Sequence, residues 1–471
     1  MTKKSKRNLA PAQKAKASPK KSPRKSAGKP TKSAPVKSGD YAKGVFLLSI
    51  GDELLDGRTQ NTNASWIGEQ LRLTGVPVAE VRCVSDRIED IVRALNEARN
   101  YPLVVSTGGL GPTNDDRTLE GAALAFKRPL GRTPESYEHV RSRYEARKVE
   151  LTETRLRLAN VPKGCRVVQN PTGTAPGVEL KIGGTKFYFL PGPPHECRPM
   201  FEKEILPFAR ETVAVKKLVR REFWRTFGRG EGEIYARVAA IVETFEKRYP
   251  ETFTFGVHIS FPCIDLTLEV WDVIRHEHPS AAEIDEACAQ IQAAIGEFCF
   301  TRKRETLVDV VCRELASRKL TLSAAESCTG GLLAKTITDI PGSSAYFWGG
   351  VVSYDNEAKA ALLGVKESTL ARHGAVSAET VGEMAESMRK RANTDFALAI
   401  SGIAGPGGGS EEKPVGTTHV AISSAAGTKT LHQVFLSGKG SREQNRIVAM
   451  YLALDALRSE LLSRSAGKKQ K

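Results

Sequence analysis

The chain has 471 residues, 40% hydrophobic, 7% aromatic and 26% charged, with a formal net charge of +16. That length suits two or three domains, each with its own core, and no apolar run nears the roughly 18 residues of a membrane span, so no membrane partner is expected. The charge is concentrated at the ends: residues 1–43 hold fourteen Lys/Arg against one acid, Asp40, residues 464–471 hold four more, and the body between is near neutral.

The first tail is rich in Lys, Ser, Pro and Ala around Ser18-Pro19-Lys20-Lys21-Ser22-Pro23-Arg24-Lys25, and is expected to be disordered. Two readings of it stay open, a solvated tail and non-specific polyanion binding. No nucleic-acid module is visible in the body. Basic residues without an apolar segment behind them argue against a secretory signal and leave the cytoplasm as the expected compartment. The cysteines are scattered without a CxxC pair, which argues against structural zinc and against a disulfide framework.

From residue 44 the chain alternates strand and helix. Strands are predicted at 44–50, 78–83 and 103–106 and helices at 63–73 and 88–99, a βαβαβ rhythm that implies a parallel sheet flanked by helices. A charged helical stretch, 135–157, precedes two loops, Asn170–Gly177 and Leu190–Glu196. Residues 214–300 change pattern: a strand, a helix at 231–247, strands at 253–260 and 266–273, then a helix at 281–298. A second α/β rhythm follows, with strands at 320–325, 345–354, 396–400, 418–423 and 429–436 and helices at 330–338, 378–391 and 441–462. The expected fold class is therefore α/β: two α/β domains (44–212 and 303–463) with mainly parallel or mixed sheets flanked by helices, joined by a small α+β module (213–302), between basic tails at 1–43 and 464–471.

Two strand ends carry the chemistry. After the strand at 103–106 comes Thr107-Gly108-Gly109-Leu110-Gly111-Pro112-Thr113-Asn114-Asp115-Asp116, leading into a helix near Thr118. Glycines at such a turn let backbone N–H groups approach a phosphate, and the adjacent acids suit a divalent cation; a generic glycine-rich turn is the alternative. Ligands on such sheets bind at the carboxyl ends of strands, where Gly51-Asp52-Glu53 also falls. The strand at 320–325 leads into Glu326-Ser327-Cys328-Thr329-Gly330-Gly331. Ser327 is placed either as a nucleophile or as a helix N-cap, and GxSxG spacing is absent. Tyr354 and Lys359 follow the next strand, Lys359 being either a general base or a solvated helix lysine. Ser401-Gly402-Ile403-Ala404-Gly405-Pro406-Gly407-Gly408-Gly409 is a second glycine-rich turn. Arg442 and Arg446, four apart on the last helix, either clamp a phosphate or decorate its surface.

These motifs, in this order, resemble the CinA family, in which a molybdopterin-binding-like domain is fused to a C-terminal nicotinamide-nucleotide amidase domain. The resemblance spans roughly residues 44–462. It rests on Gly51–Leu55, Thr107–Asp116, Gly173–Gly177 and Leu190–Gly192 in the first half, and on Ala325–Gly331, Gly350–Lys359, His373–Ser377 and Ile403–Pro406 in the second. It implies hydrolysis of nicotinamide mononucleotide to nicotinate mononucleotide and ammonia, in pyridine-nucleotide salvage. Ser327 is then the nucleophile, Lys359 and Tyr354 handle protons, and Ser401 stands where the family often has threonine. Thr329, Gly330, Gly331, Gly405 and Gly407 hold the oxyanion and nucleotide, Arg442 and Arg446 face the phosphate, and no cofactor is required. The first half resembles a metal-dependent ADP-ribose pyrophosphatase, with Glu53, Asp115 and Asp116 at a divalent ion, Asp116 catalytic, and Gly108, Gly109, Gly111 and Thr113 at the substrate. The family also implies a homodimer. The Gly228–Glu233 loop departs from the family's Gly-x-Gly-Glu-Ser pattern. A non-catalytic pterin- or nucleotide-binding protein, or a competence-associated one, is the alternative.

Overall fold

In the computed structural model, residues 44–274, 276–435 and 440–466 are described; the basic segment 1–43 and residues 467–471 lie outside them. The first sheet draws on β1 (Val45–Ile50), β2 (Val78–Val84) and β3 (Leu103–Thr107). A two-stranded pair, β4 (Leu130–Arg132) and β5 (Asn160–Pro162), stands apart from it, and β6 (Arg166–Val168), β7 (Gly177–Ile182) and β8 (Thr185–Leu190) complete it. Its order is β2-β1-β3-β8-β7-β6. The first four strands run parallel, β7 runs against them beside β8, and β6 pairs antiparallel with β7, so the sheet is mixed. β1 and β3 are buried along their whole length, as central strands covered on both faces must be.

The predicted helical stretch 135–157 divides into Pro134–Ala146 and Glu153–Leu156. Lys148 enters the left-handed region at φ 53°, which ends the first helix, and Thr152 caps the second by accepting the N–H of Arg155.

The middle segment forms an antiparallel sheet of order β10-β11-β9-β12, from β9 (Lys217–Thr226), β10 (Phe253–Ser260), β11 (Cys263–Asp272) and β12 (Cys299–Thr301). Helices Glu231–Arg248 and Ala281–Ile295 pack their apolar sides on it. Phe227, Cys263 and Phe300 do not join that core: they pack with the apolar side chains beneath the third sheet. The Phe227 ring lies 5.4 Å from that of Tyr451 and 6.3 Å from that of Phe435. Toward the first domain the contacts include two ion pairs, Arg72 to Glu269 at 2.5 Å and Arg304 to Glu69 at 2.6 Å, and the backbone bond of Val215 N–H to Gly75 O at 3.0 Å.

The third sheet has the order β14-β13-β15-β16-β17, from β13 (Leu322–Glu326), β14 (Phe347–Val352), β15 (Phe396–Gly402), β16 (Thr417–Ser424) and β17 (Gly427–Val434). β13 pairs in parallel with both β14 and β15, and the last two strands are antiparallel. Helix Arg442–Ala466 covers one face and Ala378–Ala392 the other. The helix predicted from Gly330 starts at Leu332, because Gly330 and Gly331 both take positive φ. No helix among the described residues is long and apolar enough to cross a membrane.

Candidate functional site

The carboxyl ends of β1, β3 and β8 open into a cleft of about 570 Å³. Its floor is the predicted glycine turn. Gly108, at φ +101°, would carry a Cβ only 2.2 Å from the carbonyl oxygen of Ile50, so the turn closes onto β1 only without a side chain. Thr118 locks it further, donating its hydroxyl to Gly108 O at 2.9 Å and its N–H to Gly109 O at 3.2 Å. Gly108, Gly109, Gly111, Glu53 and Asp116 all line the cleft, together with Asn61, Asn63, Gly192 and Glu196.

The acids are arranged differently from the sequence expectation. Asp116 turns back on its own loop, accepting Thr113 N–H at 2.9 Å and Thr113 Oγ1–H at 2.5 Å, so Thr113 serves the loop. Asp115 is exposed and does not line the cleft: consecutive residues of a tight turn do not both face inward. Among the described residues no group of three or more His, Cys, Asp or Glu is placed to hold a metal ion. Of the three carboxylates on the cleft, Glu196 accepts Asn170 Nδ2–H at 2.7 Å, and Glu53 and Asp116 are left as a donor set that would suit a magnesium-like ion completed by ligand phosphates and not a closed protein cage. Sequence reasoning passed over Asn63. Its Nδ2 donates to Gly192 O at 2.7 Å, while its Oδ1 is buried with no hydrogen-bond partner among the described residues.

The second constellation gathers at the ends of β13, β14 and β15. Ser327 is buried directly after β13, and its N–H donates to Ile400 O on β15 at 2.9 Å. Neighbouring Cys328 is also buried, and burial pushes its thiol up to about 12, which removes it as a thiolate nucleophile at neutral pH. Ser353, just past β14, donates its N–H to Glu326 O at 2.8 Å, which draws the two strand ends together.

Lys359 is 1% exposed, and its Nζ donates to the carbonyls of Ser353 at 3.0 Å and Tyr354 at 3.1 Å. Burial holds its pKa below the ordinary lysine value, against the pull of Asp355. The solvated-lysine reading therefore fails: this lysine belongs to the packed end of β14. Tyr354 is 58% exposed, and its hydroxyl accepts Arg442 Nη2–H at 2.5 Å. The other arm of Arg442 reaches Gly405 O at 2.8 Å, and Arg446 donates through Nε to Thr329 O at 3.2 Å. The two arginines thus tie the last helix to both glycine turns. Ser401 is fully buried and donates to Ala375 O at 2.7 Å, a loop-holding bond. Gly407 is exposed on the second turn.

Two residues outside the sequence-derived set matter here. Asn445 donates to Ala404 O at 3.0 Å from the last helix, and Glu326 is buried with its carboxyl group accepting the N–H groups of Gly331, Leu333 and Ala334 at 3.0, 3.1 and 2.8 Å. The signal for Glu326 was present: a lone acid closing the otherwise buried strand Leu322-Ser323-Ala324-Ala325 needs internal partners.

Comparison with known proteins gives a consistent picture. Residues 46–211 match the family model "Probable molybdopterin binding domain", and residues 304–461 match "CinA C-terminal domain". The chain is 39% identical over 430 residues to the "CinA-like protein" of Myxococcus xanthus, covering 90% of this chain and 99% of that one. It is also 39% identical over 424 residues to the "CinA-like protein" of Geobacter sp. strain M21, covering 89% and 98%. Among solved structures, the protein CinA from Thermoplasma acidophilum is 39% identical, covering 34% of this chain and 95% of that one, at a TM-score of 0.33.

Proposed function

The chain belongs to the CinA family, and from that premise we propose that its C-terminal half is a serine amidase of pyridine-nucleotide salvage, releasing ammonia from nicotinamide mononucleotide. The observation that supports the reading is that Ser327 and the buried Lys359 follow the neighbouring ends of β13 and β14, while Arg442 and Arg446 bond to the two glycine turns beside them.

Ser327 Oγ bonds to the carboxamide carbon as the C=O π pair moves onto oxygen. The serine proton passes to the neutral amine of Lys359, whose lowered pKa makes that form accessible, and from there to the leaving nitrogen, which departs as ammonia. Water then adds to the acyl-serine, one of its protons restores Ser327, and nicotinate mononucleotide leaves. Arg442 and Arg446 keep N–H groups beyond those spent on Tyr354, Gly405 and Thr329, and these serve the substrate phosphate.

The decisive measurement is ammonia release from nicotinamide mononucleotide by the full chain. Ser327→Ala is expected to lower kcat at least about 10³-fold, and Cys328→Ala to leave it within a few-fold. No release by the wild-type chain would sink the reading.

The N-terminal cleft supports a second reading, recognition of ADP-ribose with metal-dependent cleavage of its pyrophosphate. It is carried by Glu53 and Asp116 on the same cleft as the Gly108–Gly111 turn. A divalent ion held by those two residues would supply Lewis acidity to the pyrophosphate. Asp116→Ala is expected to abolish magnesium-dependent ADP-ribose cleavage and to spare ammonia release. Loss of both together would overturn the separation of the two sites.

A further inference from the structure

The backbone N–H groups of the Ser327 turn can be accounted for one by one. Ser327 donates to Ile400 O, Gly330 to Ser327 O at 3.0 Å and Leu332 to Thr329 O at 3.2 Å. Gly331, Leu333 and Ala334 donate to the Glu326 carboxyl group. Two remain. The N–H groups of Cys328 and Thr329, the two amides that follow Ser327 along the chain, bond to no other residue among the described ones, the Cys328 N–H meeting only its own sulfur. On the same turn the Thr329 hydroxyl is fully buried and also lacks a partner. Gly330 and Gly331, which the resemblance placed with Thr329, Gly405 and Gly407 at the oxyanion and nucleotide, have already spent their N–H groups.

Resting on the amidase reading, we propose that the backbone N–H groups of Cys328 and Thr329 form the oxyanion hole of Ser327, and that Glu326 is the positioning residue that holds them there. As Ser327 Oγ bonds to the carboxamide carbon, the carbonyl pair becomes a full charge on oxygen, and two fixed N–H dipoles next to the nucleophile receive it. The pair returns to the C–O bond as the C–N bond breaks. By occupying the first N–H groups of the following helix, Glu326 keeps that helix end from drawing the substrate oxygen past the reacting geometry. Arg446 fixes the other side of the same peptide segment through Thr329 O, and places a cation beside the developing charge.

The test uses the full chain. Introducing the α-hydroxy analogue of Cys328 or of Thr329 replaces the amide N–H with an ester oxygen and keeps the side chain. Each replacement is expected to lower kcat and kcat/KM together by about 10²–10³-fold, with KM little changed. Glu326→Gln puts an N–H donor against N–H donors and is expected to give the same signature. Labelling of Ser327 by a fluorophosphonate, whose P=O oxygen would occupy the same hole, is expected to slow in parallel. Ester variants that match the wild type in both turnover and labelling would overturn the inference, whatever Glu326→Gln does to folding. A wild-type chain labelled at Ser327 yet silent toward nicotinamide mononucleotide would remove the substrate assignment, and the labelling rates would still decide the oxyanion hole. Failure to label Ser327 at all would overturn both.

Discussion

The two glycine turns follow one local plan, a buried parallel strand, a turn of positive-φ glycines and then a helix, and they reach opposite ends. At Gly108–Gly109 the turn folds against β1, and the space beyond it is a cleft lined by side chains that accept hydrogen bonds. At Ser327–Gly331 the turn closes over a buried carboxyl group that takes up the helix's first N–H groups, and the side chain presented is a hydroxyl. The difference lies at the last strand residue. β3 ends in Thr107, which leaves the turn to receive a ligand, whereas β13 ends in Glu326, an internal anion that occupies the place of one. Strand–glycine–helix grammar thus specifies where a site lies, and the strand's final residue specifies whether it binds or reacts.

The largest expected effect sharpens this contrast from the reactive side. Lys359→Ala should reduce ammonia release by about 10²–10⁴-fold, the range for a positioned proton-transfer group. In the wild type, the rising limb of kcat/KM with pH should lie below the 10.5 of an ordinary lysine, because burial favours the neutral amine. A limb at 10.5 or above, or one that persists in Lys359→Ala, would break the assignment. ADP-ribose cleavage, which needs only the other turn, should be unmoved.

A smaller effect is expected from Gly108→Ala. The new methyl group meets the Ile50 carbonyl inside van der Waals contact, in a backbone region that costs L-residues about 1–2 kcal/mol before any clash. Thermal unfolding should show the N-terminal half destabilised by at least that much, with ammonia release at 25 °C retained. Equal loss of both activities would mean the two turns are coupled.

The smallest effect separates the sheets by acidity. His419 on β16 stacks on His432 of β17 with ring centroids 4.4 Å apart, and burial, followed by the neighbouring His432 and Lys413, lowers its pKa to about 4, while Glu379 opposes the shift. The unfolded chain then binds the proton more readily, so stability is fully present above the unfolded value near 6.5 and is lost as pH falls through that value toward 4. Urea unfolding between pH 7 and 4 should show this slope in the third sheet, and His419→Gln should flatten it. An unchanged slope would place the acid sensitivity elsewhere.

Much of this was legible from residue patterns. Apolar runs marked β1 and β3 as strands, β13 and β15 were likewise expected where they lie, and glycine placement marked both turns, because periodicity and backbone freedom are local properties. What escaped depended on which way each side chain turns once its loop or strand end is folded. Asp115 and Asp116 look equivalent in sequence, yet one is exposed while the other folds back onto Thr113. Ser401 reads as a site hydroxyl and spends its proton on Ala375 O. Lys359 reads as one helix lysine among many until the carbonyls of the β14 end are seen around it. The mixed first sheet falls within the expected mainly parallel or mixed class, its antiparallel β7–β8 pair joined by the two residues Gly183-Gly184.

Phe227, Cys263 and Phe300 lie in the stretch whose sequence pattern marks the middle module, but their side chains complete the core that supports Ser327. Where the pattern changes and where the core can be divided are therefore different places. A fragment starting after residue 302 would keep every residue assigned to ammonia release and lose the cover over Phe435 and Tyr451, turning an internal seam into a sticky outer wall.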